Sequence, residues 1–205
     1  KMIFSNTLYD KIFADFLIST KMNVSLKKIK DEIYELKNTS RNDTRSGRNS
    51  FQTPSCQNTH KEELQKLKNY VVRFTNEFLN GDEKFRDLEV DWCSWWININ
   101  PPNGYNVIHQ HGNVEFVGNF YVQTGKDHGL LEVLRNDGSV YNKIGVRDSN
   151  FKCDCELGRF YLLPGHLWHY VSNNHSDEDR ISISYNIALK SKSSRKSKPH
   201  LNKLK

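Results

Sequence analysis

No stretch of the chain approaches the ~18 consecutive apolar residues of a membrane-spanning helix, which excludes a helical span through a bilayer. The N-terminal "KMIFSNTLYDKIFADFLIST" is interrupted by Asp10, Lys11 and Asp15 and does not read as a secretory leader. A cytoplasmic protein with no membrane partner is therefore expected. Cysteine is scarce and poorly spaced for metal binding. Of Cys56, Cys93, Cys153 and Cys155 only the last two are close, and Cys153-x-Cys155 is too tight for a standard zinc pair. Reduced free thiols are expected. Internal repeats are lacking too.

Acidic residues are missing from one place in particular. The last sixteen residues, "KSKSSRKSKPHLNKLK", hold seven Lys or Arg and no Asp or Glu. The formal charge of +6 thus belongs to this tail, since the rest has 23 basic against 24 acidic residues. Residues 190–205 are expected to be disordered when free. Two uses are open for them: contact with nucleic acid or another polyanion, or a solvated terminus that aids solubility.

What is present suffices for one core. Hydrophobic residues make up 36 % of 205, a proportion that one domain of this length can bury. Helical spacing runs through the first third. Leu8, Ile12, Phe13, Phe16 and Leu17 share one face. Ser25 can cap a second helix carrying Leu26, Ile29, Ile33 and Leu36, and a third from about His60 to Leu79 aligns Leu64, Leu67, Val71, Phe74 and Phe78. The polar stretch 38–55 between the last two exceeds an ordinary connection, so it is either disordered or functional.

After about residue 86 the period changes to two. Trp95, Ile97 and Ile99 alternate with Trp96 and Asn98, while Ile181, Ile183 and Tyr185 alternate with Ser182 and Ser184. Short β-branched and aromatic runs separated by Gly, Pro, Asn and Asp imply an antiparallel sandwich or barrel. The tryptophans at 92, 95 and 96 read as core, and Trp168 as a candidate pocket wall.

"NVIHQHGNVEFVGNFYV" places His109 and His111 one residue apart, so an extended strand would turn both imidazoles to one face. "YLLPGHLWHYV" supplies His169 after a Pro-Gly turn where the chain re-enters a strand. Imidazole binds divalent iron and zinc, and a distant third His joining a close pair is the plan of a facial three-ligand site with positions left open. His166 has no such place and reads as a rim or surface residue. His60, His128, His175 and His200 have no partner spacing and receive no role.

Together "WWININPPNGYNVIHQH", "VGNFYV", "LLPGHLWH" and "RISISYN" resemble the 2-oxoglutarate- and Fe(II)-dependent oxygenases. They are most similar to a group of that superfamily frequent in marine bacteria and phages. Members of the group carry a Trp-Asn-Ile-Asn-like strand, a Pro-Gly-Asn turn and a His-x-His before Ser-Gly-Val-Tyr-Tyr. A Phe-Pro-Ser-x-Leu-x-His element and Arg-Ile-Ser-Ile-Ser-Phe-Asn follow, in the order and spacing seen here. "TRSGRNSFQT" is similar, more loosely, to the group's Ser-Asn-x-Gly-Gly-Trp-Gln-Ser loop. The likeness covers most of residues 40 to 189.

The resemblance implies a mainly β fold: a double-stranded β-helix (jelly-roll, cupin-like) core over 86–189, buttressed by N-terminal α-helices within 1–85. Residues 1–189 would form one oxygenase domain. It implies an enzyme of a bacterial or phage-infected cell that hydroxylates a substrate while 2-oxoglutarate is decarboxylated to succinate. Fe(II) would be held by His109, His111 and His169. Where the wider superfamily has Asp or Glu, this chain has His111, so position 111 is open between a metal ligand and a group behind the ligands, with water completing the coordination.

Arg180, eleven residues after His169, would clamp the far carboxylate of 2-oxoglutarate with Ser182 donating beside it. Its alternative is a surface ion pair with Asp177, Glu178 or Asp179. Tyr121 and Asn186 are further candidates for the cosubstrate wall, Tyr121 standing equally as aromatic core. Two other functions stay open: a three-His cupin-like dioxygenase without 2-oxoglutarate, which leaves Arg180-x-Ser182 unused, and a non-catalytic β-sandwich module with a basic tail. The substrate, a small molecule or a protein side chain, would be selected by 38–55 and by Asp127 to Asp154. The sequence is silent on oligomeric state.

Overall fold

The computed structural model describes residues 4–12, 15–134 and 150–193. The chain builds two antiparallel sheets and two helices. In order, the elements are β1 (Phe4–Ile12), β2 (Asp15–Met22), α1 (Leu26–Thr39), β3 (Gly47–Arg48), β4 (Phe51–Gln52) and α2 (Glu62–Gly81). Then come β5 (Leu88–Asn100), β6 (Tyr105–His109), β7 (Phe116–Gln123) and β8 (Leu131–Leu134). The last four are β9 (Asn150–Cys153), β10 (Arg159–Pro164), β11 (His169–Val171) and β12 (Arg180–Ser191). Seven strands lie in the order β1-β2-β10-β7-β12-β5-β4, and five in the order β3-β6-β11-β8-β9. This is a jelly roll, mainly β, with helices on one side, as the sequence implied.

The period-two alternation sorts the large sheet into an apolar and a polar face. Ile97, Phe120, Phe160, Ile183 and Ile187 pack with Ile29, Ile33, Leu67, Val71 and Phe74 of the two helices. The opposite faces of β5 and β12 present Asn98, Asn100, Arg180 and Ser182 to the interior, all buried. A second apolar cluster, with Val117, Tyr161, Leu131, Val133 and Leu163, fills the rest of the space between the sheets. The polar stripe therefore exists only where the two sheets enclose the site.

Along the seam between helices and sheet, Phe16, Phe78, Phe85 and Phe116 meet tilted or edge to face, with ring centroids 5.3–6.2 Å apart. The N-terminus of α2 is capped from α1: the Glu32 carboxylate accepts the amides of Glu63 (3.0 Å) and Leu64 (2.9 Å). Ser25 stands at the N-cap of α1, but its side chain makes no capping bond.

One expected helix is absent. β1 and β2 pair antiparallel, and β2 is paired in turn to β10 from Lys21↔Arg159 to Ile18↔Leu162. The spacing of Leu8, Ile12, Phe16 and Leu17 fits a helical face, but the edge of β10 offers backbone partners that a helix there would leave unpaired. Accordingly Leu17 faces the inter-sheet cluster and Ile18 the helices.

The stretch 38–55 is ordered and contributes one short strand to each sheet. Of the basic tail, β12 reaches Ser191, and Lys192 donates to Asn80 Oδ1 (2.6 Å) and the Arg86 carbonyl (2.5 Å). Residues 194–205 lie outside the described residues. No helix among the described residues is long and apolar enough to cross a membrane.

Phe116 is 3 % exposed and sits at the centre of the aromatic seam, so Phe116→Ala should cost about 3–5 kcal/mol in urea unfolding. Loss of the interhelical cap in Glu32→Ala should cost about 1 kcal/mol. Equal, small losses would mean that the seam does not bind the helices to the sheet.

Candidate functional site

β6 and β11 are neighbours, and their register sets His109 directly opposite His169. The chain leaves β6 at Gln110, and His111 returns to the same place because two loops meet closely. The His111 amide donates to the Gly165 carbonyl (2.8 Å), and the Gly165 amide donates to that of Glu115 (2.9 Å). A Cβ on residue 165 would stand 2.2 Å from the Val114 oxygen and 2.8 Å from the His111 oxygen, so only glycine permits the approach.

The three rings cluster, with centroids 4.4 Å apart for 109–169, 5.1 Å for 109–111 and 5.3 Å for 111–169. Their ligand atoms all lie within 4.8 Å of one another. Trp96 stacks on His111 at 5.8 Å and 20°. The structure thus removes Trp96 from the core, where the sequence reading put it, and keeps Trp95 there.

Each imidazole is oriented by a carbonyl oxygen on its Nδ1. His109 Nδ1 meets the Val107 carbonyl (2.7 Å), His169 Nδ1 that of Leu167 (2.9 Å) and His111 Nδ1 the Asn186 side-chain oxygen (2.8 Å). A carbonyl only accepts, so all three Nδ1 atoms carry hydrogen and all three Nε2 atoms keep a free lone pair. Burial lowers the pKa of each ring, with the neighbouring histidines adding to the effect at His111 (about 4) and His169 (about 3). The cluster is neutral at pH 7 and able to ligate a cation there.

Two spaces meet at the cluster. An inner cavity of about 40 Å³ lies between the sheets, lined by Asn98, Asn106, Asn119, Ser182 and Ser184 with the apolar Val117, Leu131, Leu163 and Val171. An outer cleft of about 430 Å³ is lined by Asp43, Arg45, Gln52, Thr53, Gln110, Asn113 and Asn186. Ser46, Trp96, His109 and His111 line both. Gln52 fixes the wall between them: its Oε1 accepts the amides of Arg45 (2.8 Å) and Gly47 (3.2 Å), while its Nε2 donates to Asn98 (2.5 Å).

Arg180 begins β12 and is 1 % exposed. It is not the surface ion pair that its acidic neighbours suggest. Its Nη2 donates to Asn100 Oδ1 (3.0 Å), while Nε and Nη1 are buried with no partner. The Tyr121 hydroxyl is likewise buried without a nitrogen or oxygen partner, and Ser182 pairs with Tyr121 across the sheet. Burial depresses the Arg180 pKa and raises that of Tyr121, while the Arg180 charge draws the phenol back down. Orphaned donors on a buried guanidinium are the groups that a buried anion would satisfy.

The other candidates divide. Asn186 holds His111 and lines the outer cleft rather than the inner cavity. Trp168 points away from the site and is 40 % exposed, which corrects its reading as a pocket wall. His166, His60 and His175 are exposed, and the four cysteines form no disulfide. Of the second segment expected to set selectivity, Leu131 lines the inner cavity, and residues 135–149 lie outside the described residues. Sequence reasoning passed over buried His128, whose Nδ1 is unpartnered and which feels the Arg180 charge, together with Asn98, Asn100, Asn106 and Asn119. Asn98 was visible as the polar member of an alternating strand; His128 left no signal.

Residues 94–186 match the family described as "Putative 2OG-Fe(II) oxygenase". The matched stretch runs from within β5 to within β12 and so takes in most of the jelly-roll core. The fold of the 2OG-Fe(II) oxygenases is also found by structural comparison. A Pseudomonas putida prolyl-4-hydroxylase superposes with TM-score 0.58 at 11 % identity, over 80 % of this chain and 85 % of that one. A Trichoplax adhaerens prolyl hydroxylase, in complex with a hypoxia inducible factor peptide fragment, gives 0.59 at 9 % identity over 84 % and 82 %. An oxidoreductase of the 2OG-Fe(II) oxygenase family from Burkholderia pseudomallei gives 0.53 at 11 % over 77 % and 76 %. No curated protein matches the sequence.

The depressed imidazole pKa values carry a pH signature. The unfolded chain takes up protons below about pH 6.5 while folded His111 and His169 resist to about 4 and 3, so stability present above 6.5 is lost as pH falls through that window. Thermal melts of the metal-free protein should therefore decline from pH 7 to 4, less so in His169→Ala. Zinc affinity should stay nearly flat between pH 6.5 and 5, and a tenfold fall per unit there would contradict neutral, burial-protected ligands.

Proposed function

We propose that this protein is an Fe(II)- and 2-oxoglutarate-dependent dioxygenase that hydroxylates a substrate held in the outer cleft. The observation that carries this reading is the buried, half-unpaired guanidinium of Arg180, on the same face of β12 as Ser182, which lines the cavity beside three metal-competent imidazoles. His109, His111 and His169 would hold the iron through Nε2. The donor set fits: three neutral nitrogens, oriented and deprotonated at the coordinating atom, suit divalent iron. Bound together, iron and 2-oxoglutarate supply oxygen activation and two electrons, leaving succinate and carbon dioxide.

The residues of the chain do the rest. Arg180 would bind the distal carboxylate through charge and the donors it has free, and Ser182 would add a hydroxyl donor. Asn186 keeps the His111 ring turned toward the metal. Three uncharged ligands leave the full metal charge uncompensated, which favours an anionic keto acid over water at the open positions. Val117, Leu163 and Val171 dry the inner cavity, while the amides and hydroxyls of the outer cleft orient a polar substrate. Hydroxylation as the outcome is carried over from the hydroxylases that share the fold. A three-His dioxygenase without 2-oxoglutarate leaves Arg180 without a task.

His169→Ala should abolish iron binding in anaerobic titrations, and Arg180→Ala should weaken 2-oxoglutarate by about 2–5 kcal/mol, read from succinate release without primary substrate. Undiminished iron uptake in the first variant removes the proposal. An unchanged cosubstrate requirement in the second gives the site to the dioxygenases that need no diacid.

Position 111 has its own test. As a ligand, His111→Asp should retain iron, since a carboxylate offsets metal charge, whereas His111→Ala should lose affinity. Equal losses in the two variants would place His111 behind the ligands.

A further inference from the structure

Arg180 is a buried cation whose hydrogen-bonded partner is a neutral amide. No carboxylate pairs with it among the described residues, although Asp177, Glu178 and Asp179 precede it in the chain; Asp179 instead accepts from Tyr34 (3.2 Å). Leaving a desolvated charge without a counter-ion is costly in the empty protein. The partner that does touch it, Asn100, is 0 % exposed and fixed in turn.

Asn100 Nδ2 donates to Asn106 Oδ1 (3.1 Å), and Asn106 Nδ2 donates to Ser46 Oγ (3.1 Å). The direction of this chain is set at its start. A guanidinium can only donate, so Asn100 must turn its oxygen to Arg180 and its nitrogen to Asn106, which must then turn its nitrogen to Ser46. The chain ends at Ser46, in the wall shared by the inner cavity and the outer cleft.

We propose that Asn100 is a positioning residue that aims the Arg180 guanidinium at an anionic ligand without neutralising it, and that Asn106 and Ser46 hold it in that orientation. The proposal rests on the reading that Arg180 receives the distal carboxylate of 2-oxoglutarate. An aspartate at 100 has nearly the same shape and would reach Arg180 equally well, but it would spend the charge that the ligand needs. The chain could accommodate it, because the Ser46 hydroxyl can donate as well as accept.

Asn100→Asp separates this from a merely structural role, because the two predict opposite signs. Without ligand, the variant should melt higher, by about 2–4 °C for each 1 kcal/mol gained from pairing the buried charge. In the Fe(II)-loaded, anaerobic protein its 2-oxoglutarate affinity should fall on the order of a hundredfold by calorimetry, with iron stoichiometry unchanged. A lower melting temperature with undiminished 2-oxoglutarate affinity overturns the proposal. Should Asn100→Asp not fold, Asn106→Leu removes the support and leaves the Arg180–Asn100 contact. It should bind 2-oxoglutarate about tenfold more weakly, and wild-type affinity overturns the proposal. A wild-type protein that binds no 2-oxoglutarate overturns the diacid reading instead; a higher-melting Asn100→Asp would then still support Asn100 as the residue that aims an unpaired charge.

Discussion

Three carbonyl oxygens, on Val107, Leu167 and Asn186, govern what the histidine cluster can do. Because each takes the Nδ1 hydrogen of one imidazole, the three Nε2 atoms keep their lone pairs within one close cluster, and burial keeps them unprotonated. Two of the oxygens belong to the backbone two residues before the ring they hold, so the strands that bring His109 and His169 into register also set their tautomers. The third comes from β12, and it lets a residue outside a strand join the cluster. Everything else in the site is arranged around that cluster.

The arrangement divides the space between the sheets by chemistry. On one side of the cluster, a small cavity carries amides and hydroxyls, and the buried, half-unpaired Arg180 shares a face of β12 with Ser182 of its wall. On the other, a larger polar cleft opens toward solvent beneath the 42–52 segment. Trp96, stacked on His111, and Ser46 stand in the partition. On the proposed reading, a keto acid and a substrate would face the histidine cluster from different spaces that share only this partition. The large sheet makes this possible because its other face is wholly given to the helices, which leaves alternate residues of β5 and β12 free to be polar.

Much of this was legible from residues alone. The alternation in "WWININ" and "RISISYN" announced two faces, and the spacing of His109, His111, His169 and Arg180 announced where their polar members would gather. What was not legible depends on partners rather than periods. The spacing of Leu8, Ile12, Phe16 and Leu17 fits helix and paired strands alike, and only the unpaired edge of β10 decides between them. Asn98 reads as the polar side of a strand, but its links to Gln52 and Ser184, like those of Asn100 to Asn106 and Arg180, span distances that no pattern encodes. Between adjacent tryptophans, the sequence could not say which faces the site. His128 reaches the vicinity of Arg180 through a turn that carries no motif.

X-ray absorption on the Fe(II)-loaded, anaerobic protein, with and without 2-oxoglutarate, tests the central claim most directly, since it counts imidazoles on the metal. Three histidine ligands in both states, with 2-oxoglutarate replacing lighter scatterers rather than an imidazole, is the expected result. Two or fewer imidazoles on the iron, or a spectrum unmoved by 2-oxoglutarate, would contradict it.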